Sequence, residues 1–209
     1  MRITLDTKCR LCRTEGSKLF LKGARCLSAK CPIEKKGAVP PGMHGIKSMK
    51  KPTDYGIQLR AKQKAKRIYG VQETQFQNYY NQAKKLKGLV GDNLLILLEH
   101  RLDNVVYLSG LATSRSHSKQ LISHGHVLVN NISINISSYN LKTGDLITLD
   151  KDTLVKLQDN LRFQDKDFKA PSWLDIDKNK STVSIVSSPE IDEIQNGINT
   201  NLIVEYYSR

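Results

Sequence analysis

Four cysteines, Cys9, Cys12, Cys26 and Cys31, open the chain in the pattern C-x2-C, thirteen residues, C-x4-C. Two close pairs joined by a loop let four thiolates converge tetrahedrally on one metal without stretching the backbone, the arrangement of structural zinc knuckles. Gly16 and Gly23 supply turns between the pairs, and Lys18, Lys22 and Arg25 make the segment polar. So short and polar a segment could scarcely bury a core, and a bound metal would supply its folding energy. The expectation is a structural metal site with zinc as the ion. An iron–sulfur cluster accepts the same four thiolates. A disulfide pair or free thiols are the remaining alternatives, the disulfide being disfavoured in a reducing cytosol.

His124 and His126 flank Gly125 in "SKQLISHGHVLVNN". Two imidazoles at such a joint could bind a metal, shuttle protons or touch a phosphate. No carboxylate or thiol neighbours them in the sequence, which argues against a catalytic or metal role. A plain helix-to-strand joint is the alternative to a phosphate-facing corner. After position 150 the acidic residues have no His or Cys beside them and read as solvated rather than catalytic.

Charge points to the partner. The chain of 209 residues carries a net +13, but residues 1–91 alone hold 21 Lys/Arg against 5 Asp/Glu. Residues 92–150 hold 4 against 5, and residues 151–209 hold 8 against 10. A basic arm on a near-neutral body suits a polyanion, because each neutralised phosphate releases condensed counterions. Nucleic acid is the first reading. An anionic membrane surface is the second, and no amphipathic Trp/Phe/Leu-faced helix supports it. No apolar run approaches the roughly 18 residues of a membrane span, and "MRITLDTKCR" lacks the apolar core of a signal peptide. A cytosolic protein is therefore expected.

The elements that must position these residues follow from pattern. "KKGAVPPGMHGIKSMKKPTDYG", which holds His44, Lys47, Lys50 and Lys51, reads as an extended basic connector. Thr53 or Asp54 then caps a helix that ends near Gly70, around which Arg60, Lys62, Lys64, Lys66 and Arg67 wrap widely. A second helix carries Phe76, Tyr79 and Tyr80 at core spacing. Leu94, Leu98, Leu102 and Val105 describe one long or two abutting amphipathic helices. Thr113 or Ser114 caps the next helix, which Gly125 ends. Val127 and Val129, an Asn130-Asn131 turn, Ile132 and Ile134 form a hairpin. A second turn at Thr143-Gly144-Asp145 leads to another strand. "STVSIVS" and "LIVEYYS" read as further strands. The fold class is thus α+β, in four segments. Residues 1–51 form the cysteine knuckle and basic extension, and 52–91 a basic helical region. Residues 92–150 are a helix–helix–hairpin module, and 151–209 supply strands packing back on the helical region.

The stretches "KCRLCRTEG", "PPGMHG", "KPTDYGIQLRAKQKAKRIYGV", "LLEHRLDNVVY", "ISHGHVLVN" and "LIVEYYSR" resemble the family of bacterial small-subunit ribosomal proteins numbered four, across nearly the whole chain. The central stretch resembles the RNA-binding module named after that family, which recurs in some tRNA synthetases and pseudouridine synthases. The resemblance implies a non-enzymatic protein that binds small-subunit ribosomal RNA early in assembly, at a multi-helix junction of the 5′ domain. It implies a place near the mRNA entrance, a bearing on translational accuracy, and contact with small-subunit protein five, with protein three as a further candidate. The four cysteines match the metal-binding version of the family. Carried over by position, Arg101, Arg115, Lys119, Gln120, His124 and His126 would face RNA. On the arm and basic helix the candidates are Arg10, Arg13, Lys22, His44, Lys47, Lys50, Lys51, Tyr55, Arg60, Lys62, Lys64, Lys66 and Arg67. Leu108 stands where family members often carry arginine, and Asn131 replaces a common turn glycine.

The mechanism these readings give is adhesion, with phosphate contacts for affinity and junction shape for recognition. Two rivals remain. An RNA-modifying enzyme would need a catalytic constellation that the last 59 residues do not offer. A zinc-knuckle DNA-binding regulator would aim the basic helix from Asp54 to Tyr69 at a major groove.

Overall fold

The computed structural model describes residues 7–45, 51–157, 168–177, 181–194 and 197–209. They form two compact units, one drawn from positions 1–76 and 196–209, the other from 77–195. In the first unit the cysteines ride on three short helices, α1 (Lys8–Glu15), α2 (Ala24–Leu27) and α3 (Pro32–Lys36). Arg13 of α1 reaches along the chain, donating from Nε to the Val39 carbonyl at 2.8 Å and from Nη2 to that of Pro40 at 3.1 Å. A Cβ at position 45 would lie 2.3 Å from the Pro40 oxygen, so the turn closes only on Gly45. The connector therefore begins as a pinned turn rather than in the extended form expected. Lys47 and Lys50 lie outside the described residues.

The basic helix is α4 (Asp54–Tyr69). Thr53 Oγ1 caps it by accepting the Gly56 N–H at 3.2 Å, and Gly70 ends it at a left-handed φ of 60°. Its buried face is Gln58, Lys62, Ala65, Ile68 and Tyr69, unusually polar for a core face. In α5 (Glu73–Ala83), Phe76 and Tyr80 are buried, as their spacing predicts, and Tyr79 is half-buried.

The second unit resolves the long apolar stripe into two helices, α6 (Val90–Glu99) and α7 (Leu102–Leu108), separated at His100 and Arg101. Helix α8 (Arg115–Ser123) starts at Ser114, whose Oγ accepts the His117 N–H at 3.3 Å. Gly125, at a φ of 80°, turns the chain into β1 (Val127–Val129). Asn130 and Asn131 both take positive φ, at 51° and 65°, before β2 (Ile132–Ser133). There follow β3 (Leu146–Leu149), α9 (Lys151–Leu157), β4 (Leu174–Asp177) and β5 (Thr182–Ile185). The strands make one antiparallel sheet in the order β2-β1-β3-β5-β4, so hairpin and later strands share a sheet that runs across position 150. Val127, Val129, Ile147, Leu149, Val183 and Ile185 bury one face in a single cluster with Leu102, Val105, Val106, Leu121, Ile122 and Trp173. Among the described residues no helix is long and apolar enough to cross a membrane.

The strand expected in "LIVEYYS" is overturned. Thr200–Ser208 is a helix, α10, whose first turn is capped by Asn199 Oδ1 accepting the Asn201 N–H at 3.1 Å. Its β-branched and aromatic residues favour strand by propensity, but packing on α4 decides. Ile203 is fully buried, and Gln58 donates to Glu205 Oε2 at 2.9 Å. Lys62 Nζ sits 4.3 Å above the Tyr206 ring. Glu73 closes the assembly, accepting from Lys62 at 2.7 Å, Lys66 at 2.8 Å and the Tyr207 hydroxyl at 3.0 Å.

Partial burial alone would raise the Glu73 carboxyl, but the bonds from Lys62, Lys66 and Tyr207 outweigh it and hold its pKa at about 2, against 4.5 for a free glutamate. Glu73 therefore stabilises the fold fully above pH 4.5, and that contribution is lost as pH falls to about 2. Glu73→Gln should lower the urea midpoint at pH 7, and the gap from wild type should close across that window. Because the carboxylate is 43% exposed, solvent screening keeps the gap modest. Equal midpoints at pH 7 would show that Glu73 adds nothing to the joining of α4 and α10.

Candidate nucleic-acid interface

The module's cations are built around a buried acid that the sequence reading did not single out. Asp103, in the first turn of α7, has 1% of its side chain exposed. Arg101, just before that helix, holds both of its oxygens, Nε to Oδ1 at 3.0 Å and Nη2 to Oδ2 at 2.7 Å. The third guanidinium nitrogen, Nη1, donates to the Tyr79 hydroxyl at 2.8 Å. From α8, Lys119 brings its ammonium to 3.4 Å from Asp103 Oδ2. Burial pulls the Lys119 pKa below the ordinary lysine value; Asp103 opposes this, while Arg101 and Arg115 add to it.

Beside this cluster a second chain of contacts places Arg115. Its Nε donates to Asn104 Oδ1 at 2.8 Å, and its guanidinium lies 4.5 Å from the Tyr107 ring centre. Asn104 in turn donates to Glu99 Oε2 at 2.5 Å and to the Glu99 carbonyl at 3.1 Å. The backbone at the α6–α7 corner also holds the loop before β3. Leu102 N–H donates to the Tyr139 carbonyl at 2.9 Å, and Leu141 N–H to that of His100 at 2.9 Å.

Helix α8 consequently has two faces. Arg115, Ser118, Leu121 and Ile122 are buried, whereas Ser116, Gln120, Ser123 and His124 are exposed, with Lys119 at the border. At the end of α8 the sequence reading needs correction, because His126 does have a carboxylate beside it. Its Nδ1 is 2.9 Å from Asp150 Oδ2. The antiparallel register that pairs Val127 with Leu149 puts positions 126 and 150 side by side, a neighbourhood that linear spacing conceals. Asp150 also caps α9 by accepting the Thr153 N–H at 2.6 Å. Its carboxyl lies below the usual value, chiefly through the Thr153 hydrogen bond and then through His126. His124 is exposed, 6.0 Å from His126 between ring centres.

In the first unit the candidate cations divide in two. Arg10, Lys22, His44 and Lys51 are exposed, as is the neutral Tyr55; Arg60 is exposed too but reaches an acid. Others meet partners inside the fold. Lys62 and Lys66 bind Glu73, Lys64 donates to the Gly197 carbonyl at 2.7 Å, and Arg13 holds the connector. Glu15, 2% exposed, pairs with Arg67 and, at 3.5 Å, with Arg60. Burial raises the Glu15 carboxyl above its usual value, against the pull of Arg67 and Arg60. The one available sequence signal was scarcity: a region with 21 cations keeps only 5 acids, and Glu15 and Glu73 are two of them.

No disulfide joins the four cysteines, and Cys12, Cys26 and Cys31 are buried. Burial raises the Cys12 thiol; a hydrogen bond from the Leu19 backbone opposes this, and the Cys26, Cys9 and Cys31 sulfurs add to it. Lys22 N–H donates to Cys26 Sγ at 3.3 Å. Buried sulfurs receiving backbone N–H groups fit a thiolate-held metal by kind. Among the described residues, however, no three Cys, His, Asp or Glu side chains are gathered into a metal-holding group.

A family profile described as "Ribosomal protein S4/S9 N-terminal domain" matches residues 5–99, and one described as "S4 domain" matches residues 100–147. "Small ribosomal subunit protein uS4" of Syntrophomonas wolfei subsp. wolfei is 46% identical over 209 residues, covering 98% of each chain. The protein of the same name from Desulfitobacterium hafniense strain Y51 is 49% identical over 203 residues, covering 96% of each. That from Halothermothrix orenii is 47% identical over 206 residues, again covering 96% of each. Cations organised on a helical module with a β-hairpin, in a chain this similar to ribosomal proteins, mark a structural RNA-binding protein rather than an enzyme. The chain belongs to the family of small ribosomal subunit protein uS4.

Asp103→Ala should cost about 3–5 kcal/mol in urea unfolding, because it strands the Arg101 guanidinium in the interior. Replacing Arg101 with Met in the same chain should recover much of that loss, and the double-mutant cycle measures the coupling. Additive single losses would show that the pair does not act as a unit.

Proposed function

We propose that this protein is a structural component of the small ribosomal subunit, working in the cytoplasm, that grips small-subunit ribosomal RNA by charge and shape. The near full-length identity to small ribosomal subunit proteins named uS4 is the observation that carries this reading. The charge confined to residues 1–91 supports it independently. The exposed set, Arg10, Lys22, Lys51, Gln120 and His124, is suited to direct contact with the RNA backbone. Buried Lys62 in the first unit and Arg101 in the second are each suited to holding their own unit's surface in shape. Following the resemblance, we place the RNA target at a multi-helix junction of the 5′ domain, engaged early in assembly. The neighbours we assign on the same basis are small-subunit proteins five and three and mRNA near its entrance, a position from which accuracy would be affected.

Filter binding of a small-subunit rRNA transcript at rising salt should give a steep log–log slope. Changing Arg10, Lys22 and Lys51 together to Gln should flatten it by about three, roughly one per lost phosphate contact. Affinity that does not change with salt would sink the adhesion mechanism.

We also infer a structural zinc held by Cys9, Cys12, Cys26 and Cys31. The support is the spacing of the pairs, the burial of three sulfurs and the N–H donors directed at two of them. The metal would supply folding energy to the knuckle. Elemental analysis of protein purified under reducing conditions should find about one zinc per chain, with iron plus labile sulfide as the alternative filling. Neither metal being present would count against the site.

A further inference from the structure

His100 sits where α6 gives way to α7, a titratable ring in a dry place, 9% exposed. Its carbonyl accepts the Leu141 N–H at 2.9 Å, and its ring also hydrogen-bonds to the Leu141 backbone. The ring leans on Trp173 as well, 5.9 Å away between centres at a tilt of 47°. Leu141 and Trp173 are both buried in the core cluster of this unit. The Nδ1 atom of His100 is buried too, and no described group bonds it.

A neutral imidazole tolerates such a place, because one of its nitrogens carries only a lone pair. An imidazolium does not, since both nitrogens then carry hydrogens and the ring a charge. Burial accordingly pushes the His100 pKa below 6.5, against the pull of the Leu141 hydrogen bond and of Glu99. The nearby charges are engaged elsewhere. Glu99 Oε2 accepts from Asn104, and Arg101 is turned to Asp103 and Tyr79. Glu193, in the turn that packs on α6, accepts from the Ser172 hydroxyl at 2.5 Å. Asp192 of that turn and Asp175 of β4 are exposed, Asp177 partly so, and Tyr139 and Lys142 beside Leu141 are exposed as well.

We propose that His100 is an acid-sensitive pin: neutral, it clamps Trp173 and the loop before β3 to the α6–α7 corner, and protonated, it releases both. The release is a local opening within the second unit and not the unfolding of the chain. Trp173 meets water, and Leu141 loses its bond to the ring. A fold that favours the neutral ring gains stability that is complete above pH 6.5 and is lost as pH falls below it. The pin is a property of the folded chain alone and does not depend on the RNA-binding reading.

Trp173 is the one tryptophan of the chain, so tryptophan emission of the full-length protein reports on this corner. Between about pH 8 and about pH 5, where histidines titrate, wild-type emission without denaturant should shift to longer wavelength as the indole becomes wet. His100→Phe fills the place with a ring that cannot titrate, and its emission should stay still over the same range. His117, whose pKa burial also lowers, is kept in the variant, so the difference between the two profiles belongs to His100. A flat wild-type profile, or the same shift in His100→Phe, would overturn the pin. Should His100→Phe fail to fold, proton NMR of the wild-type chain decides. One of its five imidazoles should titrate below pH 6.5 in step with the Trp173 indole N–H signal. An indole signal that stays in place while every imidazole titrates would overturn the proposal equally.

Discussion

An ionised carboxylate as buried as Asp103 is tenable only because Arg101 grips both of its oxygens and Lys119 stands 3.4 Å away. Taking these charges out of water costs several kcal/mol per ion, so the cluster is a poor source of net stability. What it provides is position. The same two residues open α7, and the backbone around them clamps the loop before β3 through Leu102 and Leu141. Lys119 carries the constraint to α8. One buried acid therefore decides where the corner, the loop and the exposed face of α8 stand with respect to one another.

The other unit meets the same constraint in the same way. Glu73 collects Lys62, Lys66 and Tyr207, while Glu15 collects Arg60 and Arg67. A region this basic would repel itself in a compact fold, and each acid placed among its cations relieves repulsion while fixing two helices at once. The consequence for binding is a division of labour. Lysines anchored on Glu73 cannot turn to a phosphate without stranding the carboxylate. Arg10, Lys22 and Lys51, exposed at the surface, can do so at little cost.

How much of this could be read from sequence follows from the range of each signal. Thr53, Gly70, Ser114 and Gly125 act within one turn of chain, and their caps and helix ends fall where residue type places them. The two asparagines of the hairpin take the left-handed conformations that such a turn demands. Long-range effects escaped. The residues of α10 favour strand, and only docking on α4 makes them a helix. His126 looked free of carboxylates because Asp150 is 24 positions away and arrives through strand register. Lys62, a candidate contact on the basic helix, and Arg101, which the resemblance set facing RNA, both turn inward to acids, since residue type records a charge and not the partner that occupies it.

Recognition of RNA by shape makes that last difference consequential. A duplex with a narrow, deep major groove offers phosphates and hydroxyls at set spacings, so the protein must hold its contacts at matching spacings beforehand. A flexible lysine that orders only on binding surrenders about 0.5–1.5 kcal/mol of side-chain freedom at each contact. On α8 much of that cost is met during folding: Ser114 fixes the helix start, Asp103 steadies Lys119, and Asn104 holds Arg115. Ser116, Gln120, Ser123 and His124 are then carried on a rigid helix, their mutual spacing set by its pitch. The buried acids touch no ligand, yet they fix which backbone geometry the exposed residues can fit.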